Sequence, residues 1–97
     1  MEMTELKERA ARMSRQLQDA LAPAELTIRD DSKRHAYHAG RNGVEGDETH
    51  FTMTIVSPRF AGMNRVARHR LINEMLKPEF ESGLHALSLK LHAPEEV

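Results

Sequence analysis

Histidine is the residue through which this chain could do chemistry. Six imidazoles stand among its 97 residues and no thiol accompanies them. They are the only side chains here that ionise near neutral pH and, methionine apart, the only soft-to-borderline metal ligands. His35 and His38 lie in a polar stretch with Gly40, Gly43 and Gly46, and Asp30, Asp31, Asp47 and Glu48 flank it. As a self-sufficient zinc site this set is poor, because structural zinc takes four ligands and usually includes cysteine. The plainer reading is a pair of solvated loop histidines, and a lone zinc or copper buffer built on them is a third-ranked alternative. The absence of cysteine excludes a disulfide framework, a thiol nucleophile and an iron–sulfur cluster held by this chain's own thiolates.

A second constellation is basic. Arg59, Arg65, Arg68 and Arg70, with His69, occupy a segment free of acidic residues and gather near a helix start, where backbone N–H groups also favour anions. It could meet phosphates, or it could simply balance acidic residues elsewhere on the surface. The patch has no aromatic interleaving apart from Phe60, which disfavours stacking on single strands. A formal charge of -1, from fourteen Lys and Arg against fifteen Asp and Glu, argues against a polyanion-binding surface over the whole molecule. No nucleophile elbow, phosphate-binding loop, His-Glu-x-x-His helix or dinucleotide fingerprint occurs, so no enzymatic activity is expected. Met1-Glu2-Met3-Thr4-Glu5 is acidic and no apolar stretch follows, so a cytoplasmic location and no membrane partner are expected.

The elements that must position these residues are legible from periodicity. Leu6, Ala10, Met13, Leu17 and Leu21 mark one face of a helix that Thr4 could cap and Pro23 stops. Glu25–Asp30 alternates as a half-buried strand, and Asp31–Glu48 reads as a long flexible loop. In Thr49–Val56, Phe51, Met53 and Ile55 face one side while His50, Thr52 and Thr54 face the other. The two strands read as an antiparallel hairpin. Phe60-Ala61-Gly62 forms a turn, and Asn64 caps a helix over about Arg65–Leu76 whose apolar face carries Arg68 at its edge. Pro78 breaks it, a short helical turn follows, and Leu84–Leu91 forms the last strand. There His85 opens the inward series of Leu87, Leu89 and Leu91, which predicts a histidine at the rim of the core. The length fits one domain, 1–97, with a short C-terminal tail over 92–97. The order α-β-β-α-(short α)-β gives an α+β two-layer sandwich, three strands with helices on one face.

These residues resemble the BolA family. The matching pieces are Asp31-Ser32 with His35 three residues on, Thr49-His50-Phe51, Val56-Ser57 with Phe60 and Gly62, Arg68-His69-Arg70, and His85-Ala86-Leu87-Ser88 with Pro94-Glu95. They lie in register over nearly the whole chain. Departures are small: Ala61 stands where an acidic residue is usual, and Tyr37 where bacterial relatives often carry glycine.

The resemblance implies a mixed three-stranded sheet akin to a type II KH domain, and two roles. The first is partnership with a monothiol glutaredoxin through a shared [2Fe–2S] cluster. His85 would be one ligand and His35 the second, with His38 as its substitute, while the glutaredoxin cysteine and glutathione supply thiolates. No cofactor is then expected on the isolated chain, and this non-enzymatic adaptor role in iron–sulfur trafficking or iron regulation is the leading expectation. The alternative is DNA-binding transcriptional regulation on the KH-like surface, through Phe60, Gly62, Arg65, Arg68, His69 and Arg70. Homodimerisation of the free chain stays open.

Overall fold

The computed structural model describes residues 8–31 and 49–97. Helix α1 (Glu8–Leu21) leads into strand β1 (Glu25–Asp30), and strand β2 (His50–Val56) precedes a 3-10 turn at Pro58–Phe60. Helices α2 (Arg65–Met75) and α3 (Lys77–Glu81) follow, then strand β3 (Ala86–His92) and a final 3-10 turn at Pro94–Glu96. This is the predicted α+β order. Thr4 and Leu6, like all but the first residue of the loop expected over Asp31–Glu48, lie outside the described residues.

The sheet order is β1-β2-β3, with β1 antiparallel to β2 and β3 parallel to it, so the sheet is mixed. A parallel neighbour requires a crossover rather than a tight turn, and α2 with α3 provides it. Central β2 is paired on both sides, and its Phe51, Met53 and Ile55 are almost wholly buried. Against them pack Ala10, Met13, Leu17 and Leu21 of α1, Ile72 and Leu76 from the α2 region, and Leu84 and Leu91. Each fully buried side chain of this size contributes about 1.5–3 kcal/mol by leaving water. The opposite face of the sheet carries Thr27, Arg29, Thr52, Thr54, Ser88 and Lys90, polar or short and only partly covered. The helices therefore cover one face only.

Local chemistry sets the ends. Asn64 caps α2 by accepting the Ala67 N–H at 2.8 Å. Ser57 is fully buried and satisfies its hydroxyl twice, donating to the Leu21 carbonyl at 2.6 Å and accepting the Arg59 N–H at 3.0 Å. That pair ties the end of α1 to the exit of β2. Glu79, also buried, receives both Arg12 Nε and Nη2, at 2.9 and 2.7 Å, and Arg9 Nη1 at 2.8 Å. These bonds hold its carboxyl below the usual range, Arg12 contributing most, and they lock α3 against α1.

Candidate metal centre

His85 departs from its expected place. It precedes β3 rather than opening it, and its side chain is exposed instead of lying at the core rim. The reason is a break in the alternation. The N–H groups of His85 and Ala86 both donate to the Thr49 carbonyl, at 2.7 and 3.1 Å. Consecutive amides of a regular strand point in opposite directions, so this convergence ends the period-two pattern between them. Leu91 alone of the inward leucines is fully buried.

Register brings a second imidazole to the same place. His50 pairs with Ala86 across the parallel β2–β3 ladder, and the His50 and His85 rings meet edge-on, 5.6 Å between centroids and 82° between planes. Thr49 organises both. Its carbonyl receives the His85 amide, and its hydroxyl is hydrogen-bonded with His50 Nδ1 at 3.0 Å. Alternation marks His50 as an outward strand residue and gives no sign of this contact. The missed signal was a register one, since only the parallel pairing carries the Thr49–His50 step to the residues before β3. His35 and His38, the loop candidates, lie outside the described residues. Among the described residues, no group of three or more His, Asp or Glu could hold a metal ion.

The basic candidates separate in space. Arg65 and Arg70 are exposed, and with Val66, His69 and Asn73 they line a shallow surface depression. His69 is half-buried, its Nδ1 donating to the Arg65 carbonyl at 2.9 Å, which fixes its tautomer. Gly62 is exposed and takes a φ of +81°, left-handed geometry that suits glycine. Phe60 and Arg68 are inside, contrary to their expected place on a nucleic-acid surface. Phe60 is completely buried, so its ring is not offered to a base. Arg68 lies over that ring, 5.7 Å from its centroid. Its guanidinium donates to the carbonyls of Phe60 and Leu91, each at 3.0 Å, and to both oxygens of Glu96 at 2.7 and 2.8 Å. Glu96 also accepts the Ala93 N–H, and its carboxyl is lowered to about 2, first through the Arg68 hydrogen bonds and then through that backbone bond. The segment expected as a short tail is therefore docked.

No described helix is long and apolar enough to cross a membrane. The family model for BolA-like protein matches residues 17–96. Protein BOLA1, chloroplastic, of Arabidopsis thaliana is 50% identical over 91 residues, covering 94% of this chain and 57% of that protein. Its solved structure superposes with a TM-score of 0.84, covering 95% of this chain and 98% of that one. SufE-like protein 1 of the same plant is 47% identical over 95% of this chain but only 25% of its own length, and its BolA domain also superposes at 0.84. The DNA-binding transcriptional regulator BolA of Vibrio cholerae is 37% identical, covering 87% of this chain and 74% of that protein. This chain thus spans little more than half of the first of these relatives and a quarter of the second. The family match over 80 residues and the fold agree, and the chain belongs to the BolA-like family.

Proposed function

We propose that this chain is a non-enzymatic adaptor that binds a monothiol glutaredoxin and shares a [2Fe–2S] cluster with it, serving cluster trafficking or iron-dependent regulation. One observation carries the reading: His85 holds an exposed imidazole on a backbone pinned to Thr49 at the start of the sheet. An accessible imidazole on a held backbone fits an iron that takes its remaining ligands from elsewhere, as paired histidines replace two thiolates on one iron of Rieske centres. His85 serves as one ligand and His35 as the second, with His38 as its substitute. The glutaredoxin cysteine and glutathione supply the thiolates that a cysteine-free chain lacks. The cluster contributes redox-active, transferable iron and sulfide, while this chain contributes neutral imidazole donors. The adaptor works in the cytoplasm in this reading, although relatives bear chloroplastic names.

The test reconstitutes the cluster anaerobically on the mixed pair and records its visible circular dichroism. His85→Ala is expected to change the spectrum and shorten the lifetime of the cluster. An unchanged spectrum and lifetime in that variant sinks the assignment.

A second reading, DNA-binding regulation, has one feature in its favour: Arg65 and Arg70 are exposed beside His69 on α2, in a chain related to a protein named a DNA-binding regulator. Two exposed arginines neutralise about two phosphates and give a log–log salt slope of about −2, which is shallow. Gel shifts at about 0.15 M salt decide it. Binding that survives unchanged in an Arg65→Ala/Arg70→Ala variant removes this surface from consideration.

A further inference from the structure

Strand β1 forms one rim of the described sheet, and its register decides which of its backbone groups are used. The β1–β2 ladder runs from Glu25 opposite Val56 to Asp30 opposite Phe51, and the Asp31 N–H beyond it donates to the His50 carbonyl at 2.7 Å. In an antiparallel pair only every second residue exchanges its N–H and C=O with the neighbouring strand. Counting back from Asp31, those residues are Arg29, Thr27 and Glu25. The N–H and C=O groups of Leu26 and Ile28 therefore point away from the sheet, and none of them has a partner among the described residues. Their side chains pack against the core yet stay only half-buried. The opposite rim, β3, is better guarded: Arg68 takes the Leu91 carbonyl, and Lys90 stands exposed on the strand.

A row of unpaired amides is a template for another strand, and this one is self-complementary. Set antiparallel to a second copy about a twofold axis at Thr27, β1 places Leu26 opposite Ile28 of that copy, and the reverse. Every open group at Leu26 and Ile28 then finds its counterpart, and the half-buried leucine and isoleucine cover one another. The same register sets exposed Glu25 opposite the second copy's Arg29, in the non-hydrogen-bonded kind of pair where side chains lie closest. Arg29 keeps a donor for it, since Nε is bonded to Asp31 at 2.7 Å and Nη2 to the Thr52 hydroxyl at 3.3 Å, which leaves Nη1. Sliding the strands by two residues puts Glu25 against Asp31 or against Thr27, so charge selects the one register.

We infer that β1 is a docking edge for a second copy of this chain, joining two three-stranded sheets into one six-stranded sheet. The contact is isologous, the same strand serving both copies. An interface of one strand and its flanks belongs to the small class, below about 1,200 Å² in total, so the association is weak and concentration-dependent. It stands apart from the cluster reading, because His85 lies beside β3 on the other rim.

The experiment is sedimentation equilibrium of the full chain, without glutaredoxin or added metal, from about 0.02 to 1 mM. A monomer–dimer equilibrium with a Kd between about 10 μM and 1 mM is expected. Glu25→Arg sets two arginines opposite each other and weakens the dimer at least about fivefold. Thr27→Lys, which opposes two lysines at the axis, replaces it should Glu25→Arg fail to fold. Ser88→Lys, on the outer face of β3, stays within about twofold. Amide exchange with solvent, followed by NMR over the same range, locates the contact. Leu26 and Ile28 are expected to slow about threefold or more on concentration, while Leu87 and Leu89 of β3 keep their rates. A chain that stays monomeric to about 1 mM, a dimer indifferent to Glu25→Arg and Thr27→Lys, or slowing at Leu87 and Leu89 instead each overturns the inference.

Discussion

Arg68 holds Glu96 through both terminal guanidinium nitrogens, at 2.7 and 2.8 Å, while the same nitrogens reach the carbonyls of Phe60 and Leu91. One side chain thus joins α2, the turn after β2, the edge of β3 and the C-terminal turn. Arg68→Ala removes all of these bonds and leaves two buried carbonyls without that donor. The expected outcome is a fall in Tm of more than about 4 °C, against a change within about 3 °C for exposed Arg70→Ala. Thermal unfolding followed by far-UV circular dichroism measures both. Equal shifts in the two variants would show that Arg68 is an ordinary surface arginine.

The same latch has a pH signature. The Glu96 carboxyl, ordinarily near 4.5, is lowered to about 2 by Arg68 and the Ala93 amide. A group whose folded pKa is depressed stabilises fully above its unfolded pKa and loses that contribution as pH falls through the folded value. The Tm difference between the wild-type chain and Glu96→Gln is therefore largest above pH 5 and shrinks from about pH 4.5 toward 2. Glu79 titrates in the same direction in both proteins, so the comparison isolates Glu96. A gap that stays constant down the acid limb contradicts the latch.

Local periodicity made the helices, the strands and their order legible, because each buried face repeats within a few residues. Met13, Leu17 and Leu21 on α1, and Phe51, Met53 and Ile55 on β2, are buried where their spacing puts them. What stayed hidden depended on distant partners. Arg68 reads as a cation at the edge of an amphipathic face, and nothing local points to a carboxylate 28 residues on. His85 reads as the first inward residue of a strand, because alternation carries no sign of two amides converging on Thr49. The contact between His50 and His85 needs the parallel register, which no local pattern encodes. Periodicity also gave His85 the wrong surroundings, since its side chain is exposed and not at the rim of the core.

Glu79 tests how firmly the helical layer is assembled. Its buried carboxylate is the shared acceptor for Arg9 on one side and Arg12 on the other. Glu79→Gln keeps the shape but removes the charge, so two guanidinium groups lose their common counter-ion. Hydrogen bonds to charged groups are worth about 1.5–3 kcal/mol, and a loss of about 2 kcal/mol in urea unfolding is expected. Adding Arg12→Ala to that variant costs less than Arg12→Ala costs alone, since the interaction is already gone. Strict additivity of the two changes argues that the pair contributes no coupling.

Gly83 and Ala22 form a reciprocal pair of backbone tests. Gly83 takes a φ of +128°, two residues before His85, and a Cβ there would stand 3.1 Å from Arg9 Nη2. Gly83→Ala therefore strains the backbone and pushes on the arginine that bonds Glu79 and Ser82. A loss of about 1–2 kcal/mol is expected. Ala22 ends α1 at a φ of +42°, left-handed geometry that an L side chain pays for and glycine does not. Ala22→Gly relieves that strain but adds freedom to the unfolded chain, so the net change is about zero to 1 kcal/mol of stabilisation. Urea unfolding of the two variants side by side should thus move their midpoints apart, with only Gly83→Ala falling clearly below the wild-type chain. A destabilised Ala22→Gly would mean that its φ carries no strain, and an unaffected Gly83→Ala would mean that the turn before His85 yields freely.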